Sequence, residues 1–213
     1  YDLQSLWGDI SLSRALVYEA LARSGTGGKL LDVGGGDSAP YRNILDCESY
    51  DSVNINAGLN PTWIVDIGQP YPAHSSEYDV AISLNTLEHI YEPAFVISEM
   101  LRSLKPGGLL LLAVPFMFRV HGSPEDYLRM TPRWFEVTLS QMPVSRLEVQ
   151  PLIWGPFSVG AISSGLPGPV KKARFFCAKI LDLFYSSFRK LPAEPTGPSA
   201  SATCFWIKAT KRL

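Results

Sequence analysis

Apolar positions Leu12, Leu16 and Ala20, flanked by Ala15 and Tyr18, recur at helical spacing over 11–23. Ser11 is placed to cap that helix and Gly25 to stop it. The period then changes. Lys29–Val33 (KLLDV) is a short β run that breaks into Gly34, Gly35 and Gly36, and 39–45 reads as the helix after the turn. Stretches 50–55 and 62–65 are further short strands, and Tyr78–Leu84 (YDVAISL) is apolar enough for burial on both faces. Pro93 opens a helix with Phe95, Val96, Met100, Leu101 and Leu104 on its apolar side, closed by Lys105-Pro106-Gly107-Gly108. A central strand follows at 109–114.

Strands that alternate with helices imply a parallel sheet with helices on both faces, because parallel neighbours need crossover connections. Ligands of such sheets sit beyond the carboxyl ends of the strands. The last third has another character: a strand at 146–153, a Gly-, Ser- and Pro-rich stretch at 155–169, a basic helical segment at 170–191 and a flexible loop at 192–203. The run at 204–209 (CFWIKA) is expected to close the sheet as an antiparallel edge strand, guarded by Lys208, Lys211 and Arg212. The expected organisation is one α/β domain over 1–213, with an N-terminal helical segment at 1–28 and a helical, partly flexible insertion at 155–203 before the last strand.

Composition narrows the class. Of 213 residues, 46% are hydrophobic and 18% charged, enough apolar surface for a packed core. A net charge of -1 offers no global field for a phosphate backbone, so nucleic acid is not an expected partner. Cys47, Cys177 and Cys204 are far apart and form no CxxC pair, so neither a disulfide framework nor a thiolate zinc site is expected, and a reducing, cytoplasmic setting fits. No metal ligand set is read from the spacing. Stretch 1–10 lacks a basic segment followed by an apolar run, so no secretory leader is expected. No uncharged apolar run approaches the roughly 18 residues a membrane span requires.

Gly34, Gly35 and Gly36 place bare backbone at the tip of the first strand, where a ligand can approach the main chain. Gly34, Gly36 and Ala39 also fit G-x-G-x-x-A, by itself a weak dinucleotide signal that a tight structural turn would satisfy equally. The rest of the chain separates these readings. Asp32 precedes the glycines, Asp66 follows the third strand, Asn85-Thr86-Leu87-Glu88-His89 follows the fourth, and Lys105-Pro106-Gly107-Gly108 precedes the fifth. With LDVGGGDS, YDVAISLNTLEHI and LKPGGLLLLAVP in this order, the chain resembles the class I S-adenosylmethionine-dependent methyltransferases of the bacterial small-molecule type, over about 29–139. The resemblance implies a Rossmann-like, seven-stranded, mostly parallel sheet with an antiparallel last strand, and S-adenosylmethionine across the strand tips. By the same resemblance Asp32 and the backbone of Gly34 and Gly36 hold the methionine part, Asp66 and Ile67 contact adenine, and Asn85 lines the methyl-donor region. A carboxylate for the ammonium group and bare N–H groups for the carboxylate suit a zwitterion.

One position departs from the family. An acidic residue usually ends the second strand and accepts both ribose hydroxyls, whereas this chain offers Asn56, which lacks the charge that strengthens such bonds. Ser38 replaces the usual third glycine. The segment from His121 to Pro132 follows the fifth strand and hangs over the cofactor end. There His121 is the candidate base, Tyr127 a hydrogen-bond donor and Arg129 an anion clamp, against the alternative that Asp126, Tyr127 and Arg129 tie the loop to the next helix. Stretch 170–191 carries six cations against Asp182 alone and many aromatics, which suits a lid over an apolar acceptor, a contact with anionic lipid or an ordinary packing helix. The expected activity is methyl transfer to a small-molecule, sugar or lipid-linked acceptor in the cytoplasm, with peripheral membrane contact through 170–191. Its rivals are a non-catalytic S-adenosylmethionine-binding protein of the same fold and an NAD(P)-dependent oxidoreductase.

Overall fold

In a computed structural model the chain is described for residues 12–66, 69–122, 124–152, 155–163, 171–188 and 201–213. Seven strands form one sheet: β1 (Lys29–Val33), β2 (Ser49–Asn54), β3 (Trp63–Ile64), β4 (Tyr78–Leu84), β5 (Leu104–Pro115), β6 (Val144–Pro151) and β7 (Cys204–Lys211), in the order β3-β2-β1-β4-β5-β7-β6. β1 to β5 are parallel where they pair, and β7 runs antiparallel to both β5 and β6. The helices are α1 (Leu12–Ser24), α2 (Pro93–Ser103), α3 (Pro132–Ser140), α4 (Pro156–Ser163) and α5 (Lys171–Phe188).

Side chains of a strand alternate between faces, and in the centre both faces are apolar. Leu110, Leu112 and Val114 of β5 pack with Ile97, Met100 and Leu101 of α2 and with Phe135 and Leu139 of α3, all fully or nearly fully buried. Leu111 and Ala113 point the other way, toward Val17 and Leu21 of α1. Truncating one of these leucines to alanine would cost about 2 to 5 kcal/mol, which explains why the central strands read so clearly from sequence.

Three expectations change. The 39–45 helix is reduced to a single 3₁₀ turn, Arg42–Ile44, since so short a segment gains few hydrogen bonds for the cost of nucleation. Lys105-Pro106-Gly107-Gly108 does not follow α2 as a separate turn. It lies inside β5, where the register against β4 shifts between Tyr78 and Val80, and Gly107 takes φ +78. β7 is not the edge strand. Its residues Cys204 to Ile207 are buried on both faces, so the apolar run takes the interior slot and the more polar β6 takes the edge. α4 and α5 fall in the stretch expected to be a helical insertion, and the 192–203 loop lies outside the described residues up to position 200.

Candidate active site

β1, β2, β4 and β5 end on the same side of the sheet, and their following loops meet there. The chain leaves β1 through Gly34, at φ +99, with its N–H donated to Val53 O at 2.8 Å. A side chain at Gly34 would collide with Thr86, so the position is closed to any larger residue on both counts. Asn54 at the end of β2 holds the loop from the other side: its Nδ2 donates to Gly34 O at 2.6 Å and Gly35 O at 3.1 Å, while its Oδ1 accepts from Asn56 N at 2.9 Å. Asn56 in turn accepts from Gly58 N at 2.9 Å and starts the short turn Ala57–Leu59. Beyond β4, Asn85 takes a left-handed conformation, φ +52, and its N–H donates to Ala113 O at 2.8 Å. Unusual backbone of this kind concentrates at ligand-binding sites.

Between these loops lies a cavity of about 510 Å³ whose wall includes Gly34, Asn56, Asp66, Asn85 and His121. Its size is that of a cofactor or small-ligand site. Ile67 lies outside the described residues. Arg14 of α1 also reaches the wall, as does Thr86.

Asp32 is placed elsewhere. It is fully buried beneath Gly35, and its carboxylate accepts from Tyr41 at 2.9 Å and from Tyr50 at 2.7 Å. Burial pushes its pKa up to about 7, against the pull of the two hydroxyls. Asp32 thus lies under the loop, held by two tyrosines, and is not part of the cavity wall. Gly36 likewise stands off the cavity wall, packed against the carbonyl of Leu59.

The loop after β5 docks on the turn Leu87–His89 through its main chain: Tyr127 N donates to Glu88 O at 2.8 Å. The Tyr127 ring is half-exposed and meets Tyr91 edge-on, away from the cavity. Arg129 grips Asp126 with both terminal guanidinium nitrogens and also donates to Arg119 O. That ion pair holds the Asp126 carboxyl well below the usual range. Tyr127 and Arg129 thus serve the loop, the alternative already open in the sequence, and not the cavity wall. His121 alone of the three candidate catalytic residues lines the cavity.

His121 does not stand alone. Its ring meets His89 edge-on at 5.0 Å, and Glu88 lies beneath both imidazoles. Glu88 is fully buried, neither carboxylate oxygen has a hydrogen-bond partner among the described residues, and burial pushes its pKa up to about 7. The sequence marks Glu88 and His89 only as part of the segment that follows the fourth strand. The long separation between His89 and His121 hid the grouping, and Arg14 had no motif to mark it.

The profile described as a methyltransferase domain matches residues 9–142, from the N-terminal helix through α3. The chain belongs to the methyltransferase-domain family. Membership carries S-adenosylmethionine as the cofactor and accords with the order of loops around the cavity. A ubiquinone biosynthesis O-methyltransferase from Marinobacter nauticus is 28% identical over 131 residues, which are 59% of this chain and 52% of that protein. The chain thus spans about half the length of the curated relatives it matches. Among solved structures, phosphoethanolamine N-methyltransferase 2 from Haemonchus contortus superposes with TM-score 0.60 at 13% identity, over 98% of this chain and 56% of that one. The [4+2]-cyclase SpnF superposes with TM-score 0.60 at 17% identity, over 97% and 84%. These two likenesses show the fold.

Proposed function

We propose that this methyltransferase moves a methyl group from S-adenosylmethionine to a hydroxyl of a small-molecule, sugar or lipid-linked acceptor, in the cavity shared by the glycine loop and His121. The observation that carries this reading is that one cavity joins the bare backbone of Gly34, the carboxylate of Asp66 and the imidazole of His121. That the curated relatives are O-methyltransferases supports oxygen as the acceptor atom.

In this reading the amino-acid part of the cofactor lies over Gly34, with Arg14 as the cation for its carboxylate. Asn56 meets the ribose, Asp66 accepts from the adenine amine, with Ile67 packing on the ring, and Asn85 lines the methyl-donor region. Transfer is an in-line displacement: the acceptor oxygen bonds to the methyl carbon as the carbon–sulfur bond breaks, so position and exclusion of water supply much of the acceleration. A hydroxyl acceptor must also lose its proton. His121 is the group that activates it, since its Nδ1 side faces Arg119 O and Asp126 at 3.2 and 3.3 Å, which leaves Nε2, 3.9 Å from Glu88 Oε1, to take the proton.

The test is transfer of an isotope-labelled methyl group from S-adenosylmethionine to a panel of hydroxyl-bearing compounds. Labelled ether and S-adenosylhomocysteine are expected in equal amounts. His121→Gln should slow transfer about a hundredfold with cofactor affinity unchanged. Tight cofactor binding with no transfer to any acceptor class would favour the non-catalytic binding protein instead.

We further propose that α5 lies on anionic membrane in the cytoplasm. Phe175, Ala178 and Asp182 face inward, whereas Phe176, Ile180, Leu183 and Phe184 form an exposed apolar stripe on a basic segment. No described helix is long and apolar enough to cross a membrane.

A further inference from the structure

We propose that Glu88, His89 and His121 form a binding site for a single divalent transition-metal cation that opens into the acceptor side of the cavity. One carboxylate oxygen and one nitrogen from each imidazole lie within 4.8 Å of one another. His89 Nε2 is 3.6 Å and His121 Nε2 is 3.9 Å from Glu88 Oε1. Ligand bonds of about 2.1 Å place neighbouring ligand atoms roughly 3 to 3.5 Å apart, so each imidazole needs a contraction of a few tenths of an ångström toward Glu88, and the two rings, within 4.8 Å of one another, must close by about 1 Å around an ion. His121 is one-third exposed and has room to make that movement.

The surroundings orient the donors as a metal requires. His89 Nδ1 donates to Glu125 O, and His121 Nδ1 lies 3.2 Å from Arg119 O and 3.3 Å from the Asp126 carboxylate. In the neutral form each ring therefore carries its proton on Nδ1 and turns the lone pair of Nε2 toward Glu88. Such outer hydrogen bonds fix tautomer and ring orientation in metal sites. The Asp126 carboxylate is itself held by Arg129, so the ion pair that looked purely structural also steadies a ligand. Glu88 supplies the second, independent sign: a fully buried carboxylate with no hydrogen bond to either oxygen among the described residues is costly unless something positive meets it.

Two imidazoles and one carboxylate on one side of an ion suit Mn²⁺, Fe²⁺, Co²⁺ or Zn²⁺ and leave coordination positions open. This deepens and rests on the methyl-transfer reading: an acceptor hydroxyl oxygen taking an open position would release its proton to water, then bond to the methyl carbon as the carbon–sulfur bond breaks. His121 then activates the acceptor as a ligand.

Chelator-treated protein titrated with Mn²⁺ alone, followed by electron paramagnetic resonance and calorimetry, tests the site. One ion per chain at micromolar affinity is expected, displaced by Zn²⁺ and weakened at least tenfold by His121→Ala and by the isosteric Glu88→Gln. No binding, or binding that neither substitution weakens, would overturn the proposal. S-adenosylhomocysteine binding measured in chelator separates the two readings: retained cofactor binding without a Mn²⁺ site removes the metal alone, whereas loss of cofactor binding with the Mn²⁺ site intact removes the cofactor assignment.

Discussion

Asn56 stands on the cavity wall with Oδ1 turned to Gly58 N, so an aspartate there can keep the turn and still offer a charged oxygen to a ribose. Asn56→Asp should tighten S-adenosylhomocysteine binding by up to about tenfold, on the order of 1 kcal/mol for a charge-assisted bond, as read by calorimetry. Unchanged affinity would move the ribose away from this residue. Asp32 poses a different question, because its environment acts on stability. Its pKa is raised to about 7 in the folded chain, so the folded state binds this proton more tightly than the unfolded state. The stability it contributes is complete below about pH 4 and is lost as pH rises to 7, a change on the order of 4 kcal/mol. Asp32→Asn mimics the protonated form, so denaturant titrations should find the variant gaining on the wild type across that interval and level above it. A difference independent of pH would mean that Asp32 stays ionised between its tyrosines. Neither the burial of Asp32 nor the cluster at Glu88 was legible in sequence, since both depend on which residues distant in the chain come to face them. Asp66, Asn56 and Asn85 were legible because each follows a strand end.

At the scale of elements, apolar runs with two buried faces, β4 and β5, declared themselves, as did α2 with its proline start. The placement of β7 did not: periodicity tells that a run is buried on both faces, not which neighbours cover it, and only pairing with β5 and β6 settles the slot. α4 was hidden in a Gly-, Ser- and Pro-rich stretch because its stability comes from a partner. Asp182 of α5 accepts from Phe157 N and Ser158 N, both at 3.0 Å, capping α4 where its unpaired N–H groups and dipole favour an anion. That clasp fixes the inner face of α5 and leaves the stripe from Phe176 to Phe184 outward. Co-sedimentation with vesicles containing anionic lipid should be strong at low salt and fall as the Debye length shrinks from about 30 Å toward 8 Å. Phe176→Ser with Phe184→Ser should abolish it without loss of cofactor affinity. Absence of binding at low salt would leave α5 as a lid or packing helix.

For the molecule as a whole, the sheet gathers its loops at one end, and everything assigned to the chemistry lies there. Gly34, Asn56, Asp66, Asn85, His89 and His121 line one cavity, with Glu88 against the two imidazoles. The structural likeness to a [4+2]-cyclase as well as to an N-methyltransferase means that the fold alone does not name the reaction, so the cofactor has to be tested in its own right. The G-x-G-x-x-A spacing keeps a nicotinamide nucleotide as the sharpest competitor, and the two ligands differ in what they ask of the site: one needs a cradle for a zwitterion, the other for a pyrophosphate. The most direct measurement is calorimetric titration of the purified chain with S-adenosylhomocysteine and, separately, with NADH. Micromolar affinity for the methionine nucleoside at one site per chain, with no heat from NADH, is the predicted result. Saturable binding of NADH with no response to the methionine nucleoside at millimolar concentration would contradict the account.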